Sequence, residues 1–187
     1  MSTSRGAGYH HGDLRAALVS AARTALEAGS PFTLRAVARD VGVSPTAPYR
    51  HFADRAALES AVAAEGFHDL RARLLPDGEL PATRADFLEF AVVYVRFAVD
   101  HPALFRTMFG SACDDAADDR VREASALHAT LHAATMSLFP DRDVDALATA
   151  LWSAAHGLAF LYLDGKLRAP SPTQRDAHVR ATISALI

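Results

Sequence analysis

Between Thr33 and Arg55 the chain reads TLRAVARDVGVSPTAPYRHFADR. Few stretches this short gather so many side chains that bond nucleic acids. Arginine forks onto guanine edges, and threonine or alanine meets a thymine methyl. Tyrosine hydroxyls, histidines and helix N-termini suit phosphate oxygens, which fix register rather than sequence. Leu34, Val37, Val41, Val43 and Phe52 are the apolar positions that turn inward. Arg35, Pro45, Thr46, Ala47, Tyr49, Arg50 and His51 are then left facing out.

Three other groups could do chemistry. His128 and His132 are four apart, so both could bind one metal ion. No third ligand follows from the sequence and His-Glu-x-x-His is absent, so neither a metal, a cofactor nor a catalytic residue is assigned. Trp152 and His156 share one helix face. They form either a pocket wall that presents an imidazole, or a core tryptophan over a hydrogen-bonded histidine. Cys113 is the one cysteine, so no intrachain disulfide forms and a reducing compartment is expected. Its acidic loop gives no reason for a lowered thiol pKa.

Helices must carry these groups. Alanine dominates, half the residues are hydrophobic, and nothing alternates like a strand. The expected fold is all-α, with about nine helices. Leu14, Ala17, Leu18, Ala21, Ala22, Ala25 and Leu26 form one stripe that Gly29 stops. Thr33 caps the next helix, and Gly42 ends it where a positive φ is needed. Ser44 is placed as the cap of a helix over Pro45–Phe52, and Asp54 as the cap of one reaching about Leu74. Pro76, Gly78 and Pro81 read as a linker, which divides the chain into domains 1–75 and 76–187. Beyond it, helices are expected at about 85–99, 104–109, 120–138, 144–163 and 174–186.

The net charge is −3, but residues 1–58 carry seven arginines against four acids. The basic excess lies on the segment with the outward arginines. The N-terminal arm, with Arg5, Tyr9, His10 and His11, could reach a minor groove or a phosphate. It has no apolar run, so it is not a signal peptide. Arg96 interrupts the apolar run 87–99, and His156 with Gly157 interrupts 146–163. Neither offers roughly 20 uninterrupted apolar residues, so a soluble, cytoplasmic protein with no membrane partner is expected.

Thr33-Leu34-x-x-Val37-Ala38-x-x-Val41-Gly42-Val43-Ser44, Tyr49-x-His51-Phe52 and Arg55-x-x-Leu58 resemble the DNA-binding domain of TetR-family transcriptional regulators, over about residues 13–60. The resemblance implies a three-helix head, a connector helix, and a larger domain that dimerises and binds a small ligand. By it, Thr33, Tyr49, His51 and Arg55 contact phosphates. Arg35, Pro45, Thr46, Ala47 and Arg50, with Ser44 at the helix start, lie at or near base edges. Arg55 stands where the family has lysine. Pro48 replaces a branched aliphatic residue and removes a helix N–H, so the recognition helix is expected to be distorted there. Tyr9-His10-His11-Gly12-Asp13-Leu14-Arg15, His101-Pro102-Ala103-Leu104-Phe105 and Trp152-x-x-x-His156-Gly157 resemble the branch with a Trp-His-Gly motif.

The expected ligand lining is Tyr94, Phe97, Phe105, Met108, Phe109, Leu127, Leu131, Trp152 and His156, since an apolar pocket with few polar groups suits a small organic effector. Homodimerisation is expected through the last two helices, with Val179, Ile183 and Leu186 at helical spacing. The leading expectation is a repressor that binds a palindromic operator in double-stranded DNA and is released by a ligand. The alternatives are a histidine-using, metal-dependent enzyme and a helical protein–protein adaptor.

Overall fold

The structure is a computed structural model that describes residues 11–30, 32–110 and 118–187, the first three by backbone alone. Arg5, Tyr9, His10, the side chains of His11 and Asp13, and Cys113 lie outside the described residues. Among the described residues there are eight α-helices, one 3-10 turn and no strand. The order is α1 (His11–Glu27), α2 (Leu34–Val41), the 3-10 turn (Ala47–Arg50), α3 (Arg55–Leu74), α4 (Arg84–Asp100), α5 (Pro102–Phe109), α6 (Asp119–Leu138), α7 (Val144–Leu163) and α8 (Pro172–Ser184). Two compact units divide inside α3. The first ends at Val62 and the second begins at Ala63.

In the first unit α1 packs on α2. Leu18, Val19, Ala22, Leu34, Val37, Ala38, Phe52 and Leu58 are buried together. Ala38 is wholly buried, as a small residue must be at a close helix crossing. Asp54 caps α3 by accepting from the Ala57 N–H at 2.9 Å. The Arg15 guanidinium lies 5.4 Å from the Phe52 ring centroid.

The second unit is built around α4, which contacts α5, α7 and α8. A reciprocal capping box starts α4. The Asp86 N–H donates to the Thr83 hydroxyl at 3.1 Å, and the Thr83 N–H donates to the Asp86 carboxylate at 3.1 Å. Pro102 starts α5 immediately after His101, where its missing N–H costs nothing. Gly66 of α3 admits α5 closely. A Cβ there would fall 2.7 Å from Met108 Sδ and 3.1 Å from Leu104 Cδ1.

Two ion pairs fasten α4 to α8. Arg96 donates to one oxygen of Asp176 at 2.5 and 3.1 Å. Arg180 reaches both oxygens of Glu89 at 2.5 and 2.9 Å. Asp176 is only 4% exposed, and its bond to Arg96 holds the carboxyl below the usual range.

α7 departs from expectation. Despite His156 and Gly157, it is long and apolar enough, by length and composition, to cross a membrane. Here Leu147, Ala148, Leu151, Ala155, Leu158 and Ala159 are buried along one face, and the remaining residues are partly or fully exposed. α8 also differs. Val179 and Ile183, expected at a dimer face, are 0% and 2% exposed inside this chain. A carboxylate buried against a half-exposed arginine supplies part of the α4–α8 attachment. We therefore expect Asp176→Ala to lower unfolding free energy by about 1–3 kcal/mol in urea titrations.

Candidate nucleic-acid interface and ligand cavity

α2 is held at both ends. The Ala36 N–H donates to the Thr33 hydroxyl oxygen at 3.1 Å, which leaves the Thr33 O–H able to donate outward. Gly42 closes the helix at φ +79°, and its turn lets the Val43 N–H reach the Ala38 carbonyl at 2.9 Å. Such a left-handed residue favours glycine because no Cβ meets the following carbonyl.

After that turn the chain does not form the expected α-helix over 45–52. Ser44 caps no helix. Its hydroxyl lies 3.2 Å from that of Thr46, and its carbonyl takes the Ala47 N–H at 3.0 Å. The 3-10 turn Ala47–Arg50 follows. Pro48 is buried and has no N–H to give, while its carbonyl accepts from both His51 and Phe52 at 2.9 Å. A proline inside a short helix removes one ladder bond and crowds the preceding turn. The tighter 3-10 geometry accommodates this over a few residues.

Thr33, Arg35, Ala36, Arg39, Val43 and Pro45 line a shallow groove. Thr46, Tyr49 and Arg50 are exposed beside Pro45 in the chain, and Tyr49 keeps 51% of its surface. Ala47 and His51 are partly covered. Arg55 is engaged within the unit. It bonds Glu59 at 2.7 Å and lies 5.4 Å from the Phe32 centroid. Arg39 is the residue missed by the sequence reading. It follows Arg35 by four on one helix, so spacing placed both on the same face.

The second unit holds a cavity of about 400 Å³. Tyr94, Met108, Phe109, Leu127, Leu131 and Trp152 line it as expected, together with Phe67, Leu74, Phe87, Phe90, Ala91, Val121, Ala124, Ser125, His128, Ala129, Leu151, Ala155 and Ile183. Phe97, Phe105 and His156 are outside the lining. Phe97 and Phe105 are 1% and 0% exposed, core rather than wall. His156 bonds the Tyr94 hydroxyl through Nδ1 at 2.8 Å. Its ring packs on Phe109 and Phe160, with centroids 4.7 and 4.8 Å away. Burial holds the His156 imidazole below its ordinary pKa and pushes the Tyr94 hydroxyl well above that of a free phenol. Trp152, by contrast, is 39% exposed and meets His128 edge-on at 5.9 Å. His132 instead turns to Asp145, 2.8 Å away. The two histidines, whose spacing alone would allow one shared metal ion, have separate partners.

Residues 87–186, more than half of the chain, match the family model described as the C-terminal domain of tetracyclin repressor-like proteins. The chain belongs to the TetR family. It is a DNA-binding transcriptional regulator of the helix-turn-helix kind. No curated protein matches it. A solved structure from Rhodococcus sp. RHA1, of a protein with unknown function, is 29% identical with a TM-score of 0.77, covering 95% of this chain and 97% of that one. A TetR-family transcriptional regulator from Streptomyces coelicolor shares the fold at 19% identity and TM-score 0.72, over 95% and 80% of the two chains.

In this TetR-family chain, the cavity residues missed from sequence come mainly from α6 and α4, with fewer from α3, α7 and α8. Their apolar stripes looked like any core stripe, and only the packing left a gap between them.

Two outcomes follow. No atom lies within 4 Å of a Cβ built on Gly42, so Gly42→Ala meets backbone cost alone. It should lose about 1–2 kcal/mol in a denaturant titration. His156 binds fewer protons folded than unfolded. Its contribution is complete above the unfolded value near 6.5 and declines as pH falls through it towards the lowered folded value. Between pH 7.5 and 5, the thermal midpoint of the wild type should therefore fall further than that of His156→Gln.

Proposed function

We propose that the chain is a repressor. It binds a palindromic operator as a homodimer and lets go when an apolar or amphipathic small molecule enters the cavity. The supporting observation is a single helix, α3. It starts at Arg55, soon after the turn that carries Arg50, and its Phe67 and Leu74 line the cavity. An occupant that moves the last turns of α3 would move a helix rooted in the DNA-binding head. Two heads shifted out of register with successive major grooves lose the operator. On this reading residues 1–75 form the DNA-binding domain with its connector and 76–187 the dimerisation and ligand domain. The protein works in the cytoplasm. On this reading the Trp152-x-x-x-His156-Gly157 run supports a place in the branch with a Trp-His-Gly motif.

Phosphate contacts fall to Thr33, Tyr49, His51 and Arg55, and base-edge contacts to Arg35, Thr46, Ala47 and Arg50. Pro45 beside the groove adds shape. Arg39 joins Arg35 as a second cation on α2. The dimer face would be the outer side of α7 and α8, where Ala150, Ser153, Gly157, Leu161, Ala177 and Ala181 are exposed. Nothing in the chain lies within 4 Å of a Cβ on Gly157, so a partner helix could approach there closely.

Binding to operator DNA selected from random sequence should fall steeply with salt, since phosphate contacts release counterions. Arg50→Ala should cost about 1–3 kcal/mol and relax base preference, whereas Tyr49→Phe should weaken all sequences alike. An Arg50→Ala protein with unchanged affinity and preference in gel shifts at fixed salt would refute this assignment of the turn. In sedimentation, Gly157→Glu should convert dimer to folded monomer.

A further inference from the structure

The cavity has a consistent chemical character. Among the described residues, no lysine, arginine, aspartate or glutamate lines it. Its polar side chains are Tyr94, Ser125, His128 and Trp152. Two of these hydroxyls are already engaged within the protein. Ser125 donates to the Val121 carbonyl at 2.8 Å, and Tyr94 bonds His156 Nδ1. An ionised ligand would leave water without meeting an opposite charge, which is strongly unfavourable. Phe67, Phe87, Phe90, Tyr94, Phe109 and Trp152 put six aromatic rings on the wall. Rings of this kind favour a ligand that is itself ring-bearing, through offset and edge contacts. At interior packing density the space of 400 Å³ holds about 300 Å³ of ligand, the bulk of a molecule with several fused or linked rings.

We infer that the effector is an uncharged, multi-ring aromatic or alicyclic molecule, and that this cavity rejects carboxylates, sulfonates, phosphates and amines that stay ionised. The inference rests on the reading of the cavity as the effector site. The Tyr94 hydroxyl and the imidazole behind it set the polarity of one wall without supplying a charge. An open-chain lipid of the same volume would forfeit the ring contacts and lose more rotational freedom on binding.

The protein carries its own reporter, because Trp152 is the one tryptophan in the chain and lines the cavity. N-phenyl-1-naphthylamine and 8-anilino-1-naphthalenesulfonate share a ring skeleton and differ by the sulfonate. The experiment titrates each into the full-length protein at pH 8. It reads quenching of Trp152 emission and the rise of probe emission. The amine should bind saturably, one per chain, with micromolar affinity, and the sulfonate at least tenfold more weakly. 1-Decanol, neutral but without rings, should compete at least tenfold less well than the amine. Ala155→Phe and Ala124→Leu both fill the cavity. At least one that keeps the wild-type helical signal should weaken amine binding tenfold or more.

Equal or tighter binding of the sulfonate, equal competition by 1-decanol, absence of saturable amine binding, or amine affinity unaltered in a folded filling variant would each overturn the inference. A gel shift with bound amine separates it from the reading beneath. Saturable amine binding with unchanged operator affinity would remove ligand release from the function and leave the ligand class of the cavity standing.

Discussion

Phe87, Ala91, Val92, Tyr94, Val95, Phe97 and Ala98 are all buried along α4, and they point in several directions round the helix. A helix with so little surface to give to water must be covered on more than one side. α5, α7 and α8 do so. The few polar groups of α4 are used as ties. Arg96 and Glu89 hold α8, and Tyr94 holds α7 through His156. Burying α4 therefore fixes three neighbours in register, and the cavity is the space that this covering leaves towards α3 and α6.

The head works by a different constraint. Its buried set is small, so the geometry of its surface depends on a few backbone features. Thr33 starts α2, Gly42 stops it at positive φ, and Pro48 prevents the next segment from becoming an α-helix. A 3-10 turn is shorter and narrower than the helix usual at such a position. It carries Tyr49 and Arg50 outward while burying Pro48. The basic groove along α2, with Arg35 and Arg39, then holds a larger share of the exposed cationic surface than the turn itself.

His156 illustrates how one residue satisfies two demands. Its ring fills a gap among Phe105, Phe109 and Phe160, which an apolar side chain could also do. Its Nδ1 satisfies the hydroxyl of a buried tyrosine, which an apolar side chain could not. The cost is a histidine that burial holds away from its protonated form.

Sequence alone determined the helical class, most of the helix limits, the caps at Thr33 and Asp54, the turn at Gly42, and the outward placement of Arg35, Pro45, Thr46, Tyr49 and Arg50, but not that of Arg39. These are local properties, set by periodicity, capping chemistry and φ preference, and they survive without knowledge of neighbours. It also marked Pro48 as a break, because a missing N–H is visible in the letters. Only the tertiary structure decided that the break yields a 3-10 turn, that Val179 and Ile183 face inward, and that α7 buries one face and leaves the other exposed. It also decided that Phe97, Phe105 and His156 stand behind the cavity wall while Phe67, Phe87 and His128 form it. An apolar stripe states that a face is buried. Which helix buries it, and whether a gap remains, depends on the crossing of distant elements, which no local pattern encodes.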